Sequence, residues 1–526
     1  MIIAGLSFTL VSLYITYAVH KKKASLLLAL FCIAGLTMLI RCFYTVNFET
    51  GADASIWLAS ARSTFFSNNP LWWLLNSNEG RPLTVAPLLI LPLLGLPLNY
   101  FTADLLGLIF FIASFCITAL LIAKYTGQQM AGWLLVLPLF AVLATASHVD
   151  FFSYNSEAPS LFQITVSLWL LYIICQKPTR FWYPLALGLL LGSLPFIKFQ
   201  NAPAGLIIGL FAIGYCWKNR KIKMMLIITT GALLPSVLVG IYFALHNEWQ
   251  SFLNDYFANY YYYAYTLQSS ADSFLHRYSP RRILAFIIRP TDTIILTIAG
   301  TISIGILLYL TLIKKKLNYT VLFTFLFFIA NLYAVVQSGW NSVHYLIYLW
   351  IPAILLVTSL HKAVMPFKKI TNYTPHAVLS VIVLQIIANS YNYRTPENKQ
   401  SPDDYAIANA IQQLTKPSDK IHIWGYADRL YVMAERPMGM RLCNNWWIVM
   451  PGPAQDYRTK EWIDDIEKSR PKIIVDNALR IDPHHIQFNA VTLNDVPQIA
   501  KYMQQHYIAK DTIHGAVMYE RIISEQ

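Results

Sequence analysis

The residues best suited to chemistry lie between Asn47 and Leu83, directly after the second apolar segment. Asp53 is the lone carboxylate of a run rich in Trp and Ser. It has two interpretations, a general base for an acceptor hydroxyl or a helix N-cap. Glu79 and Arg81 close the stretch. An Arg guanidinium can hold a phosphate in bidentate fashion, and a salt-bridged loop end is the alternative. The stretch therefore predicts acid–base and anion-binding chemistry at a membrane surface.

Polar residues that border other apolar segments form a second set of candidates. Asp150 and Glu157 share one loop. Their carboxylate oxygens suit Mg or Mn, and hydrogen bonding or helix capping is the alternative role. Lys198 ends an apolar helix, where it either contacts a lipid phosphate or snorkels to the headgroups. His344 and Tyr345 follow a polar break, and His344 either touches phosphate or substrate or is an ordinary loop histidine.

The loop from residue 246 to 289 is rich in aromatic and basic residues. Its tyrosines between Tyr256 and Tyr265 are typical of an aromatic belt at the membrane interface, with sugar stacking as the alternative. A basic cluster follows them, comprising His276, Arg277, Arg281, Arg282 and Arg289. Because basic residues favour the cytoplasmic side, an excess outside favours an anionic headgroup or phosphate as ligand.

Membrane helices must position all of these residues. The chain of 526 residues is 56% hydrophobic and only 13% charged, a composition that indicates a polytopic membrane protein. The net charge of +13 comes from short loops between apolar segments, so it indicates topology and not nucleic acid binding. The six cysteines show no disulfide or zinc-binding pattern. At 1.5 Å rise per residue, about 12 segments can cross a core of about 30 Å. They lie near residues 2–19, 24–44, 101–123, 130–147, 159–175, 181–197, 202–217, 224–245, 291–313, 318–337, 343–360 and 375–391.

One apolar run is unlike these segments. Prolines recur every five residues at Pro82, Pro87, Pro92 and Pro97, which predicts a re-entrant or juxtamembrane segment instead of a span. With that assignment, the loops on one side of the membrane contain many Lys and Arg residues and neither Asp nor Glu. The positive-inside rule then places those loops in the cytoplasm and all the candidate residues outside.

Residues 392–526 alternate helical and strand patterns, which predicts a small α/β domain outside the membrane. Helices are expected at 403–414, 461–469 and 496–506, and strands at 421–424, 473–475 and 517–519. The predicted transmembrane domain covers 1–391. It includes a first outer loop at 45–98 with juxtamembrane helices and a long outer loop at 246–289. The C-terminal domain either caps the outer face, recruits an acceptor or is an inert appendage.

The order of these features resembles the GT-C superfamily of membrane glycosyltransferases. The likeness is greatest to the branch of protein O-mannosyltransferases and the aminoarabinose transferase that modifies lipid A. The matching elements, which span nearly the whole chain, are Asp53, Arg81-Pro82, Glu157-Ala158-Pro159, Lys198 and His344-Tyr345. The stretch IHIWGYADRLYVMAERP also looks like the start of the outer domain in many bacterial members. This chain departs from the pattern in three ways: one acid where many relatives have a pair, one Pro after the basic residue where two are common, and an additional N-terminal helix.

The resemblance implies transfer of a sugar from a polyprenyl-phosphate donor to a hydroxyl or phosphate of a glycan, lipid or protein, with inversion. It implies Asp53 as the base and Glu157 as the group that orients the sugar, the acceptor or a metal. The implied donor-phosphate ligands are Arg81, Lys198, Arg277, Arg281, Arg282 and His344, and the implied substrate contacts are Glu79, Asp150 and Tyr345. Mg or Mn is a candidate cofactor without an assigned site, and the expected location is a bacterial inner membrane.

Two other classes of function stay open at this point. A transporter or flippase of lipid-linked sugars is one, although it would place ionisable residues near helix midpoints, where this chain has almost none. A non-catalytic multipass scaffold is the other. The transferase interpretation requires the scattered acids and cations to gather in a single cavity.

Overall fold

The chain folds mainly into helices, with a single small sheet in its described part. The computed structural model describes residues 1–77, 79–176, 180–265, 277–314, 319–364, 368–396, 398, 400–450, 454–480 and 491–522. The predicted fold class, a helical membrane protein with juxtamembrane helices and a small C-terminal α/β region, is confirmed.

Two compact units make up the fold. The first, which we call the bundle unit, comprises Met1–Thr45, Asp104–Tyr242 and Tyr263–Thr395. The second, the sheet unit, comprises Val46–Ala103, Phe243–Tyr262 and Pro396–Gln526. Two loop stretches between apolar helices therefore pack with the C-terminal region. The predicted functional division between residues 391 and 392 stays a prediction.

In the described part of the chain, nine helices are long and apolar enough to cross a membrane. They are Ile2–His20, Leu26–Tyr44, Tyr100–Thr126, Glu157–Gln176, Phe199–Lys218, Ile222–Leu245, Thr291–Leu312, Tyr319–Val336 and Val343–Val364. Four shorter apolar helices are Pro82–Leu93, Gln129–Thr145, Trp182–Phe196 and Val378–Asn392. All the predicted spans are helical, but three of them coincide with shorter helices, so the number of spans stays a prediction.

Two apolar helices of the bundle unit differ strongly in how much of their length is buried in the protein. Gln129–Thr145 is buried along almost its whole length. Ile222–Leu245 has a mean hydropathy of 2.1 over an 18-residue stretch, and only 11% of that stretch is buried inside the protein. An apolar helix with so little protein around it must contact lipid, since its backbone bonds are satisfied internally. Arg41 is buried against the C-terminal end of the central helix, where it donates to the Leu143 and Ala146 carbonyls at 2.5 and 2.9 Å.

The proline-rich run forms one short helical segment, Pro82–Leu93, that changes between α-helix and 3-10 helix. It consists of Pro82–Val85, the 3-10 helix Ala86–Leu89 and Ile90–Leu93. Each Pro removes a backbone donor and disturbs the α-helical hydrogen bonds, which accounts for the 3-10 turn between the two α-helical pieces. The re-entrant or juxtamembrane interpretation of this run stays a prediction. Two helices precede the run in the sheet unit, Ala52–Phe65 and Pro70–Asn76, and the first is buried along most of its length.

The sheet unit contains four strands in the order β1-β2-β4-β3: β1 Ile421–Trp424, β2 Ile473–Asp476, β3 Tyr507–Ile513 and β4 Ala516–Arg521. β1 and β2 are parallel, and the other pairs are antiparallel. The helices of this region are Pro402–Leu414, Arg429–Ala434, Trp446–Val449, Gln455–Ser469 and Pro497–His506. The predicted strands and helices are all present. β3 was missed because its middle is exposed and polar, as expected at a sheet edge.

A buried ionic network joins the stretch Phe243–Tyr262 to the C-terminal region within the sheet unit. Arg458 contacts Asp255 and Glu461, each at 2.5 Å. Arg441 contacts Asp465 at 2.8 Å and Glu461 at 3.1 Å. Because every one of these side chains is buried, each charge depends on its partners for compensation. The network explains why a loop distant in sequence belongs to this unit.

Candidate active site

A buried ion pair lies in the bundle unit at the start of the helix Glu157–Gln176. The ammonium of Lys198 donates to Glu157 Oε1 at 2.5 Å, and the Tyr348 hydroxyl donates to the same oxygen at 3.1 Å. Ser156 donates to the second carboxylate oxygen at 3.2 Å. The side chains of Glu157 and Lys198 are 0% and 4% exposed. Charges buried so deeply are strongly unfavourable alone, so each of the two compensates the other.

The local sequence explains why the helix begins at Glu157. Asn155 Oδ1 accepts hydrogen bonds from the backbone N–H groups of Glu157 and Ala158 at 3.1 and 3.2 Å. These bonds satisfy donors that the first turn of a helix leaves without intrahelical partners. Pro159 lies in the same turn, where its missing N–H is not needed. The positive end of the helix dipole also favours an ionised carboxylate there.

Lys198 lies at a break between helices. The 3-10 helix Leu194–Phe196 precedes it, and its own backbone is extended, with φ −161° and ψ 120°. The ammonium is buried against Glu157 and lies 4.4 Å from the centre of the Tyr345 ring. Snorkelling to the headgroups, the alternative interpretation from the sequence, is therefore wrong for this side chain.

The 3-10 helix Val343–Leu349 supplies both tyrosines of this centre. Side chains three residues apart are eclipsed in a 3-10 helix, so Tyr345 and Tyr348 share a face. The Tyr345 hydroxyl lies 3.3 Å from that of Tyr263. Tyr348 was missed by the sequence analysis, although its spacing from Tyr345 after a polar break was a usable signal.

Asp150 lies between two histidines in the bundle unit. Its Oδ2 is 3.5 Å from His344 Nδ1 and 3.9 Å from His148 Nδ1. The His344 ring is edge-on to Tyr345, with ring centres 4.7 Å apart. Five candidates named from the sequence are thus brought together: Asp150, Glu157, Lys198, His344 and Tyr345.

Two arginines of the long loop bind main-chain carbonyl groups. Arg277 donates to the Gln337 carbonyl at 3.1 Å, and Arg282 donates to the Gly339 carbonyl at 3.3 Å. Gly339 has φ +74°, and a Cβ there would stand 3.1 Å from Arg277 Nε. Both the backbone conformation and the close guanidinium favour glycine at this position.

The rest of the predicted basic cluster is less informative. Arg281 and Arg289 are exposed. His276 lies outside the described residues.

Asp53 lies in the first turn of Ala52–Phe65, in the sheet unit. Gly51 is the N-cap of this helix, so the capping interpretation of Asp53 is wrong. The carboxylate is half-buried and makes no hydrogen bond or salt bridge with a residue that the structure describes. The helix N-terminus favours its negative charge.

Arg81 is held between two aromatic rings. Its guanidinium carbon is 5.4 Å from the centre of the Trp57 ring and 5.6 Å from that of Tyr260. Its Nε donates to the Tyr260 hydroxyl at 3.2 Å, and Glu79 lies at 3.9 Å. Burial lowers the pKa of this guanidinium, whereas the Tyr260 hydroxyl and the Glu79 and Asp53 carboxylates raise it, with an upward net shift. Glu79 and Asp53 therefore both act electrostatically on Arg81.

A tight turn fixes Glu79 next to Arg81. Glu79 and Gly80 have φ +53° and +78°. A Cβ on Gly80 would stand 2.7 Å from the Asp255 carbonyl oxygen, so only glycine fits without a shift. Trp447 Nε1 donates to Glu79 Oε1 at 2.7 Å, which holds the carboxylate beside the guanidinium.

Asp428, in the C-terminal region, is a buried acid that was not predicted from the sequence. Burial raises the pKa of Asp428 to about 7, although hydrogen bonds from Cys443 and Asn444 lower it. The Asn444 amide lies 3.1 Å from this carboxylate. Burial also raises the pKa of the Tyr426 hydroxyl, and the charges of Asp53 and then Asp428 raise it further. Both residues lie in the C-terminal stretch that carries the family resemblance, but their burial could not be read from it.

Metal binding gains no support from the described residues. Among them, no group of three or more His, Cys, Asp or Glu side chains is arranged to hold an ion. The oxygens of Glu157 already accept hydrogen bonds from Lys198, Tyr348 and Ser156.

Similarity to known proteins is found in the fold alone. No family model and no curated protein matches the chain. The structure of ArnT from Cupriavidus metallidurans bound to undecaprenyl phosphate matches with a TM-score of 0.56 and 11% identity, over 94% of this chain and 98% of that one. The apo structure of the same ArnT matches with a TM-score of 0.56 and 12% identity, over the same shares of each chain. An oligosaccharyltransferase from Archaeoglobus fulgidus matches with a TM-score of 0.47 and 12% identity, over 93% of this chain and 73% of that one. The chain thus has the fold of the ArnT structures, and the resemblance stated from the sequence is confirmed at the level of the fold.

Proposed function

We propose that this protein is an integral membrane glycosyltransferase. It moves a sugar from a polyprenyl-phosphate donor to an acceptor hydroxyl or phosphate on the extracytoplasmic face of a bacterial inner membrane. The fold supports this proposal, since the ArnT structure with the same architecture holds undecaprenyl phosphate. The acceptor is a glycan, a lipid or a protein.

The observation that carries the proposal is the buried pair of Glu157 and Lys198. Well-packed apolar residues often match or exceed the stability that a buried ion pair provides. Buried ionisable residues where apolar helices begin or end are therefore a functional-site hypothesis by default. The Lys198 ammonium also faces the Tyr345 ring and shares its carboxylate with Tyr348. Such a cation is suited to bind the phosphate of a lipid-linked sugar.

The proposed reaction is a single displacement at the anomeric carbon. The acceptor oxygen forms a bond to that carbon while the bond from the carbon to the donor phosphate oxygen breaks. The acceptor proton passes to the Asp53 carboxylate, and polyprenyl phosphate leaves with the bonding electrons. This step inverts the configuration and forms no covalent enzyme intermediate.

Fixed positive charges lower the barrier because negative charge grows on the leaving phosphate. Preorganised charges in a site that excludes water are the largest catalytic effect in many enzymes. Lys198 and Arg81 take this role in the proposal, with Arg277, Arg281, Arg282 and His344 as further donor ligands. Glu157 and Tyr348 position the Lys198 ammonium. Glu79 positions Arg81, and Asp150 and Tyr345 line the substrate site.

The test is binding of undecaprenyl phosphate to the purified protein, followed by mass spectrometry of envelope lipids, glycans and proteins from cells with and without it. We expect the purified protein to bind undecaprenyl phosphate and the Lys198→Gln variant to bind it more weakly. In cells without the protein, we expect one sugar modification to be missing. The exposed Lys22, changed to Gln, is the control and should leave binding unchanged. A protein that does not bind this lipid, in cells with an unchanged envelope, would contradict the proposal and favour a scaffold. Donor binding with transport of the intact lipid-linked sugar would favour a flippase.

A further inference from the structure

A cavity of about 710 Å³ opens between five helices of the bundle unit. It lies along the C-terminal halves of Tyr100–Thr126, Glu157–Gln176, Ala202–Lys218 and Trp350–Val364 and the N-terminal part of Tyr319–Val336. Nine of its 21 lining residues are Leu, Ile or Phe, and eight are Tyr, Thr or Ser, which add hydroxyl groups. A volume of this size lies in the range of about 300–1,000 Å³ that encloses a small ligand.

The cavity is separate from the Glu157 centre. Glu157 begins a helix of 20 residues, whereas Cys175 and Gln176, at the other end of that helix, line the cavity. Twenty residues rise about 30 Å, which is the thickness of the hydrocarbon core. One phosphate group cannot lie at both ends of this helix. A ligand of the cavity must therefore be different from the donor headgroup at Glu157.

The rim of the cavity is basic. Lys218 Nζ lies 4.8 Å from the Tyr319 ring centre, and Lys221 Nζ lies 4.9 Å from that of Tyr215. Lys362 Nζ donates to the Tyr125 carbonyl at 2.6 Å. Tyr125, Tyr215 and Tyr319 all line the cavity.

No acidic residue opposes these lysines in the sequence of the adjoining loops. The segments 124–129, 176–181, 218–223, 314–319 and 361–369 contain neither Asp nor Glu. The positive charge at this end of the cavity therefore complements an anion. The lining complements an apolar chain, since apolar cavities hold little water.

We propose that an anionic phospholipid of the adjoining leaflet binds here, with an acyl chain in the cavity and its phosphate beside Lys218 and Lys221. Basic pockets between transmembrane helices are known to bind anionic headgroups on the cytoplasmic side. The lipid fills a space that would otherwise leave the lining side chains without packing partners. The proposal holds whether or not the chain transfers sugar.

The experiment is native mass spectrometry of the full-length protein in detergent. The probes are phosphatidylglycerol and phosphatidylcholine with the same acyl chains, and undecaprenyl phosphate. We expect selective phosphatidylglycerol adducts. The double variant Lys218→Gln/Lys221→Gln should bind them roughly thirty-fold more weakly, since each lysine near a lipid surface contributes about fivefold. The control double variant Lys21→Gln/Lys22→Gln removes two exposed lysines from another loop and should bind normally.

A second variant tests the cavity itself. Gly214 lines it, and a Cβ there meets no heavy atom within 4 Å, so Gly214→Leu fills the space without a backbone clash. This variant should lose the adduct. Gly305→Leu, at an exposed helical glycine with equally open space, should keep it. Equal binding of the two phospholipids, full binding by Gly214→Leu, or displacement of phosphatidylglycerol by undecaprenyl phosphate would each overturn the proposal.

Discussion

The Lys198 ammonium lies 2.5 Å from the Glu157 carboxylate, and both side chains are almost fully buried. Removing one partner of such a pair leaves an uncompensated charge, whereas replacing both by neutral side chains often leaves stability unchanged. Comparing the stability and the activity of single and double variants can therefore distinguish a stabilising role of the pair from a catalytic role.

The first prediction concerns this pair. Glu157→Gln alone should destabilise the protein by about 3–5 kcal/mol, because Lys198 then loses its counter-charge. The double variant Glu157→Gln/Lys198→Met should recover most of the thermal stability in detergent but none of the sugar transfer. Thermal unfolding and mass spectrometry of the sugar-modified product are the two measurements. A stable double variant with normal transfer would remove the pair from the mechanism.

The second prediction concerns Asp53. Asp53→Asn should lower transfer by about 10²–10⁴-fold, the usual contribution of a general base. Stability should fall only modestly, because the half-buried carboxylate interacts with Arg81 and the helix N-terminus through charge alone. Asp456→Asn is the matched control, since Asp456 is also in a first helical turn and is exposed. Single-turnover transfer and thermal unfolding should be measured together. Near-normal transfer by Asp53→Asn would exclude Asp53 as the base.

Hydropathy alone predicted the helices of the bundle unit, because a lipid-exposed backbone has to satisfy its own hydrogen bonds. Glu157 and Lys198 were each recognised as unusual because a charged side chain is costly in an apolar setting. Their pairing was not predicted, because the two residues are 41 positions apart in the sequence and meet only when the helices pack together. The role of Tyr345 as a ring beside the ammonium likewise follows only from packing.

The sheet unit was harder to predict. The strands β1, β2 and β4 have apolar patterns, but β3 is an exposed edge strand without one. The association of Phe243–Tyr262 with the C-terminal region depends on charges such as Arg458 and Asp255, which meet only in three dimensions. The burial of Asp428 likewise follows only from the folded structure.

The third prediction concerns the geometry of Arg81. The Arg81 guanidinium makes cation–π contacts with the Trp57 and Tyr260 rings. A lysine ammonium lacks the planar fork of donors that binds a phosphate in bidentate fashion. Arg81→Lys should therefore weaken undecaprenyl phosphate binding at least tenfold, or by about 1.4 kcal/mol. Titration of the purified protein checks this expectation. Arg62→Lys is the control, because Arg62 lies 5.8 Å from the Phe66 ring centre but has no proposed role. Equal affinities of the wild type and Arg81→Lys would show that charge alone suffices.

The fourth prediction concerns pH. Burial raises the pKa of Asp428 from 3.8 to about 7 in the folded protein. Between these values the folded state keeps the proton and the unfolded state loses it, so the unfolded state binds fewer protons and stability falls as pH rises. The loss should be complete above pH 7 and on the order of 4 kcal/mol.

Asp428→Asn removes this titration, so the stability of the variant should exceed that of the wild type increasingly from pH 4 to pH 7. Thermal unfolding at intervals across this range measures the difference, and Asp511→Asn, at an exposed position, should follow the wild type. A constant difference between Asp428→Asn and the wild type across the range would mean that Asp428 titrates normally. Its neighbours Cys443 and Asn444 would then compensate its burial more fully than their geometry indicates.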